Sequence, residues 1–404
     1  MTAVRDGQPT TLLTVAGIRA AIQPALDRLA ASARHRETVR DYANEDVREL
    51  AAAGIAVTGI APSEGGAGGT VRDVTEVIIE LARADSNVAQ ALRSTFLIAH
   101  QVANRPDLPQ RDLVLERLRN RELFAGTANE RTGGASGQTY ATARADGADW
   151  IVDGEKYYST GAVYAHWFST QAITEDGTLL RFTVPTDRAG LEILDDFDAV
   201  GQRLTASGTT RFSGVRVAGA EVTTGGLIDN VSDNPWAGSF AQLYLAAVQA
   251  GIAARALDDA VLYVREKARP IKHSSAAASV DDPYVRQTVG EIAARAQAAR
   301  AVVLLAAEQL QANRGLIGEA ARTAGAAAAV HVAQAGVIAI ESALRAAELL
   351  FDVGGGSITD RGLGFDRHWR NARTAANHNP RQWKQAVAGA YHLTGEDPPT
   401  TGLF

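Results

Sequence analysis

The chain has few side chains with which to do chemistry. None of its 404 residues is cysteine, which removes thiolate nucleophiles, thiolate metal ligands and disulfides together. The eight histidines are scattered, and none is paired at the H-E-x-x-H or H-x3-H spacing of a zinc site. No G-x-G-x-x-G joins a strand to a helix and no G-x4-G-K-[ST] occurs, so neither a Rossmann dinucleotide site nor a P-loop is supported. An imidazole can donate, accept or shuttle a proton near neutral pH, but by residue type alone His378, beside Asn379, reads as a cap of the turn before Pro380. Two glycine clusters are the other features. Gly65-Gly66-Ala67-Gly68-Gly69 follows Pro62 and reads as a flexible loop and helix entry. Gly354-Gly355-Gly356 closes a long helical stretch and reads either as a C-cap and turn or as close backbone approach to a phosphate.

The composition narrows the class of partner. With 46% hydrophobic and 21% charged residues and a formal net charge of -6, the chain is an ordinary globular protein long enough for two or three domains. It has no basic tract for nucleic acid. The first twenty residues lack an export core, and no uninterrupted apolar run approaches the roughly 18 residues that span a membrane. A cytoplasmic protein without metal or membrane is expected.

The elements that must position these groups change texture twice. Residues 15–120 keep helical spacing, with Val74, Val77, Ile78 and Leu81 on one face. Residues 123–222 become short alternating runs cut by Asp-Gly at 146–147, 153–154 and 176–177, a hairpin signal. Residues 236–350 turn alanine-rich and helical, with Val337, Ile340 and Leu344 in register for a bundle.

Specific segments carry a family resemblance. Leu50–Gly54, the run 61–68 (APSEGGAG) and the run 80–86 (ELARADS), followed by FAGTANERTGGASG at 124–137 and VDGEKYYSTG at 152–161, resemble the signatures of the acyl-CoA dehydrogenase superfamily. DRHWRNAR at 366–373 stands where its C-terminal motif would stand. Within the superfamily, YYSTGAVYAHW (157–167), DDFDAVGQRLTASGTT (195–210) and DRHWRNARTAANHNP (366–380) are most similar to the flavin-dependent monooxygenase branch that includes dibenzothiophene and other sulfur-acquisition oxygenases. The resemblance implies an α+β fold: an N-terminal helical domain (1–122), a middle β-barrel domain (123–228) and a C-terminal four-helix bundle (229–404).

It also implies a chemistry. A dehydrogenase of this fold needs a carboxylate to take a proton from substrate. At the family's usual position, nine residues after Arg370, stands Asn379; the alternative helix, 236–257, holds no Asp or Glu. Oxygenation is therefore expected: reduced FMN (or FAD) from a separate reductase, O2, and a flavin C4a-(hydro)peroxide that oxygenates a small organosulfur or aromatic heterocyclic substrate. Amine N-oxygenation and dehydrogenation with an atypical base are the alternatives. By resemblance, His378 is the acid/base, Thr160 holds flavin N5, and Asn129 bonds the pyrimidine edge or the peroxide. Tyr158 packs on the ring. Arg269 and Ser136 meet the phosphate, and Gly354 and Gly355 approach flavin held by a neighbouring subunit of a homotetramer. Thr95 replaces the branch's first-domain histidine, His100 lies five residues on and points elsewhere, and Thr95, Phe96 and Trp236 are the candidate substrate lining.

Overall fold

The computed structural model describes residues 13–106, 108, 110–131, 138–223, 236 and 238–400. The first described elements are helices: α1 (Val15–Val39), α2 (Asn44–Ala52), α3 (Val71–Ala84), α4 (Ser86–Ala91), α5 (Arg93–Asn104) and α6 (Arg111–Arg119). In α3 the apolar residues Val77, Ile78 and Leu81 are buried. Its start is a capping box: the Thr70 hydroxyl accepts from Asp73 N at 3.1 Å and the Asp73 carboxylate accepts from Thr70 N at 2.8 Å, which satisfies two amides that have no partner within the helix. The preceding glycine loop is not loose. The amides of Gly66, Gly68 and Gly69 donate to the carbonyls of Ala61, Ile60 and Thr58, and a Cβ on Gly66 would lie 2.2 Å from the Ile60 oxygen. Close backbone packing requires glycine here.

Strands follow: β1 (Phe124–Gly126), β2 (Thr142–Asp146), β3 (Asp149–Lys156), β4 (Trp167–Thr174), β5 (Leu179–Pro185), β6 (Leu191–Ile193), β7 (Thr210–Val217) and β8 (Val222–Thr223). They form one mixed sheet in the order β6-β7-β3-β2-β4-β5-β8, with β1 parallel to β4. Phe212 of β7 lies 6.0 Å, ring to ring, from both Phe168 of β4 and Phe182 of β5. Strands so far apart in the sheet order can meet this way only if the sheet curls over a common core. Two of the Asp-Gly pairs turn the β2–β3 and β4–β5 hairpins. The third does not. Gly154 sits inside β3 at φ +136°, where the register against β7 shifts, and a Cβ there would lie 2.7 Å from Ala141. It is a bulge.

The C-terminal elements are α7 (Ser239–Glu266), α8 (Pro283–Ala312), α9 (Gly318–Leu349), α10 (Asp366–Ala376) and α11 (Arg381–Thr394). In α9 the seam turned inward is Ala335, Ala339, Ala343 and Ala346; of the expected apolar face only Ile340 is buried, and Val337 and Leu344 are half-buried. Small side chains let helices approach closely. The same device joins the first domain to the last, because a Cβ on Gly251 of α7 would lie 2.4 Å from the Ala82 methyl of α3. By length and composition α7 and α9 could each cross a membrane, but 83% of the α7 window is buried within the protein. Element type thus changes between Arg119 and Phe124, and again between Thr223 and Ser239.

Candidate active site

Two loops of the β domain are stitched together at the end of β3. The Lys156 ammonium and the Glu130 carboxylate form an ion pair whose side chains are 0% and 3% exposed. Glu130 also accepts from the amides of Tyr140 and Ala141 at 2.9 and 3.1 Å. Tyr157 N donates to Asn129 O at 2.9 Å, and the Thr127 hydroxyl donates to Tyr157 O at 3.2 Å. Asn129 and Tyr158 are thereby held side by side with exposed side chains. Tyr158 adopts φ +63°, a left-handed conformation that costs free energy in a bulky residue and marks sites where geometry is imposed.

Beyond it the chain drops onto the helical domain. Gly161 has φ +85°, and a Cβ there would lie 2.2 Å from Ala91 O at the α4–α5 junction. The Thr160 hydroxyl lies 2.8 Å from that of Ser207, which lies 2.7 Å from that of Thr205, and Thr205 donates to Gln202 O at 2.8 Å. The Ser159 hydroxyl is buried with no hydrogen-bond partner among the described residues. Segment 201–208 is a strap: Leu204 N donates to Asn87 Oδ1 of α4 at 3.2 Å, Gln202 N donates to Asn371 Oδ1 of α10 at 2.6 Å, and Gly161 N donates to Thr205 O at 2.8 Å. It ties all three domains to the Thr160 loop.

The opposite wall is the end of α10. Arg367 and His368 turn away from the site, both meeting the Asp259 carboxylate of α7 at 2.7 Å. His378 is reachable by solvent but sits in a recess walled by protein. Its Nδ1 lies 2.6 Å from Asn379 Oδ1. An amide oxygen only accepts, so Nδ1 carries the proton and Nε2 the lone pair. Burial, then the charges of Arg93 and Lys384, push the imidazole down to about 4. An imidazole at its ordinary value of about 6.5 is already mostly neutral at pH 7, and the lowered value keeps it so.

Other expectations are also revised. Thr95 is 1% exposed, and its hydroxyl is fully engaged, accepting from Phe124 N at 2.9 Å and donating to Phe124 O at 3.0 Å. It pins α5 to β1. Phe96 is 2% exposed and packs against Tyr244 in the core. Trp236 is 2% exposed and donates from Nε1 to Pro398 O at 2.8 Å, fastening the C-terminal segment to the bundle. His100 stacks on Phe240 at 3.9 Å. Ser136 lies outside the described residues. Arg269 is exposed, and the side chain of its near neighbour Ile271 is 3.9 Å from where a Gly355 Cβ would stand. Arg269, Gly354 and Gly355 therefore gather beyond the C-terminal end of α7, while Ala241 and Gln242 near its start face the site. At 1.5 Å per residue the two ends are roughly 40 Å apart. One flavin cannot meet both ends within one chain.

Three residues absent from the sequence expectations belong to the site. Ser207 holds Thr160. Arg93 and Lys384 flank His378; a lone cation inside an apolar stretch was the available signal for Arg93, and Lys384 carried none. Among the described residues, the two expected positions of a dehydrogenase base hold no free carboxylate either. Asn379 is buried, and the first carboxylates on α7 are already committed, Asp258 to Arg83 and Asp259 to Arg255, Arg367 and His368.

Residues 125–215 match the acyl-CoA dehydrogenase middle domain and residues 243–383 its C-terminal domain. The chain is 32% identical over 349 residues to a probable FMNH2-dependent monooxygenase, SfnC, of Pseudomonas putida, covering 83% of this chain and 84% of that one. The FMN-bound structure of TdsC, a dibenzothiophene monooxygenase of Paenibacillus sp. A11-2 also solved with indole, superposes with a TM-score of 0.85 at 25% identity, covering 96% of this chain and 99% of that one. Methanesulfinate monooxygenase MsuC of Pseudomonas fluorescens gives a TM-score of 0.84 at 26% identity, with coverage of 96% and 99%.

Proposed function

The chain belongs to the acyl-CoA dehydrogenase family, in its flavin-dependent monooxygenase branch, and on that premise we propose that it oxygenates a small organosulfur substrate with reduced FMN and O2. The observation that carries the reading is the pairing of a missing base with a present imidazole. Neither Asn379 nor residues 236–257 offer a carboxylate, and His378 presents a neutral ring with a lone pair on Nε2.

The residues of the β-domain loops suit a flavin. An exposed tyrosine held at positive φ, an exposed amide at Asn129, the Thr160 hydroxyl and the unpartnered Ser159 hydroxyl supply one flat apolar surface and several polar groups for a heteroaromatic edge. Reduced FMN, when bound, supplies the two electrons with which one oxygen atom of O2 enters the substrate and the other leaves as water. The protein's part is positioning. Tyr158 would pack against the ring, Asn129 would hold its polar edge, and Thr160, oriented by Ser207, would meet N5. His378 accepts or returns a proton at Nε2, and the strap 201–208 closes the site against bulk water.

A separate reductase supplies the reduced flavin, and a homotetramer would bring Arg269, Gly354 and Gly355 of one subunit to the flavin phosphate of the next. Sedimentation of the purified chain tests the assembly. For the reaction, the purified chain is given reductase-generated FMNH2 and O2, and oxygenated product is measured against H2O2. The reading fails if candidate organosulfur compounds leave the yield of H2O2 unchanged and no product forms.

A further inference from the structure

Resting on that reading, we propose that Asn371 and Glu37 form a positioning pair: through the strap 201–208 they set where the Thr160 hydroxyl stands, and so how much of the O2 consumed ends in oxygenated product rather than in H2O2.

The Thr160 loop has its footing on the strap. Ser159 N donates to Gly208 O at 3.2 Å, Gly161 N donates to Thr205 O at 2.8 Å, and the Thr160 hydroxyl lies 2.8 Å from that of Ser207. One segment thus locates three consecutive residues. A carbonyl only accepts, so the Thr205 hydroxyl donates to Gln202 O and accepts from Ser207, and Ser207 in turn accepts from Thr160. The hydroxyl chain is polarised from its Gln202 end. That end is strained: Gln202 has φ +55° and Ala206 φ +50°, left-handed conformations that persist only where the surroundings impose them. The imposing element is α10. Gln202 N donates to Asn371 Oδ1 at 2.6 Å, Arg370 Nη1 donates to Val200 O at 3.1 Å, and a Cβ on Gly201 would lie 2.1 Å from Arg370 O.

Position 371 calls for an amide. Asn371 is buried between the Gln202 N–H on one side and the buried Glu37 carboxylate on the other, and its Nδ2 donates to Glu37 Oε2 at 3.3 Å. A donor meets its oxygen and an acceptor its nitrogen, which fixes the orientation of the amide. Glu37 is held in turn by Arg370, whose Nη1 donates to Glu37 Oε1 at 2.6 Å and whose Nε donates to Asp366 Oδ2 at 2.8 Å. A carboxylate at 371 would face another carboxylate, and an aliphatic side chain would leave both partners buried and unsatisfied. Asn371 also shares its mount with the acid/base. α10 ends at Ala376, but His378 N still donates to Ala375 O at 3.2 Å, so the anchor of the strap and the imidazole stand about 10 Å apart along one helical run. A single element thereby sets both the His378 side and the Thr160 side of the site.

Hydrogen exchange on the purified full-length chain, without flavin, tests the tie directly. Asn371→Ala should speed exchange over 159–161 and 201–208 by about tenfold or more, while α3 and α7 keep the rates of the parent. In the reductase-coupled assay, with dibenzothiophene and methanesulfinate as probes, the same variant should raise the ratio of H2O2 to oxygenated product about tenfold and leave FMN affinity nearly unchanged. Because Asn371 acts through Thr160, that rise should vanish in a Thr160→Val background. The isosteric Asn371→Asp should uncouple as well. Adding Glu37→Gln to it exchanges donor for acceptor across the contact and should restore most of the coupling. Unaltered exchange over 201–208, a rise in the ratio as large in Thr160→Val as in the parent, or no recovery in Asn371→Asp/Glu37→Gln overturns the proposal, and the isosteric pair carries the test if Asn371→Ala does not fold. Faster exchange over 201–208 in a chain that turns no organosulfur compound into product leaves the tie standing and sinks the oxygenase reading instead.

Discussion

Nδ1 of His378 lies 2.6 Å from Oδ1 of Asn379, so the residue that replaces the dehydrogenase base fixes the tautomer of its neighbour. One amide thus removes one chemistry and orients the group for another. With Nδ1–H committed, Nε2 is the atom left to handle a proton.

His378→Ala should lower product formation by about a hundredfold or more, the usual contribution of a positioned acid or base, while flavin affinity stays nearly unchanged. Single-turnover product yield and FMN titration check the two halves separately. Unaltered turnover rules out the role. Asn379→Asp is the more pointed variant, because a carboxylate at that position would favour a protonated ring.

Thr160 and Ser207 should act together. Removing the Ser207 hydroxyl leaves Thr160 with only its long bond to Tyr158 O at 3.4 Å, and a hydrogen bond of this kind is worth about 1 kcal/mol, or roughly a fivefold effect on rate. Ser207→Ala is expected to raise the ratio of H2O2 to oxygenated product by about that factor. Thr160→Val should do more, and the double variant no worse than Thr160→Val alone. Additive losses would show that the two hydroxyls act independently.

The buried pair of Glu130 and Lys156 should govern the stability of the flavin loops. Lys156→Met strands a carboxylate in an enclosed site and should cost about 3–5 kcal/mol. Part of that loss should return in Lys156→Met/Glu130→Gln. Denaturant unfolding followed by tryptophan fluorescence measures both, and a Lys156→Met protein as stable as the parent contradicts the burial.

Acid should destabilise the fold before any carboxylate is lost. An unfolded imidazole titrates near about 6.5. Burial, then the charge of Arg314, holds His100 at about 3, and His378 is at about 4. Between these values the unfolded chain binds protons that the folded chain refuses, so stability rises with pH across the window and falls on acidification. His100 alone should account for about 2 kcal/mol of loss between pH 7 and pH 5. His100→Phe keeps a ring against Phe240 and should flatten the dependence of the melting temperature on pH.

Much of this was legible in the chain before folding was considered. The α3 face of Val77, Ile78 and Leu81, the hairpins at Gly147 and Gly177, and the empty base position at Asn379 are local features that periodicity and residue type report directly. Gly154 was misread because Asp-Gly serves a bulge as well as a turn, and only the register against β7 distinguishes them. Whether Trp236, Phe96 and Thr95 line a cavity or fill a core is not legible in residue type, because an apolar or hydroxyl side chain looks the same in sequence in either place; the fold buries all three.

By itself, the sequence determined the three-part fold, the flavin chemistry implied by its motifs, and the absence of a dehydrogenase carboxylate, since each depends on residue type and near-neighbour spacing. Tertiary structure alone decided which groups share the site. Ser207 reaches Thr160, and Arg93 and Lys384 converge beside His378, only because the strap 201–208 and the start of α7 bring three domains together. It likewise lowered the pH at which His378 titrates, because a proton equilibrium depends on the surrounding protein and on cations supplied by helices remote in the chain.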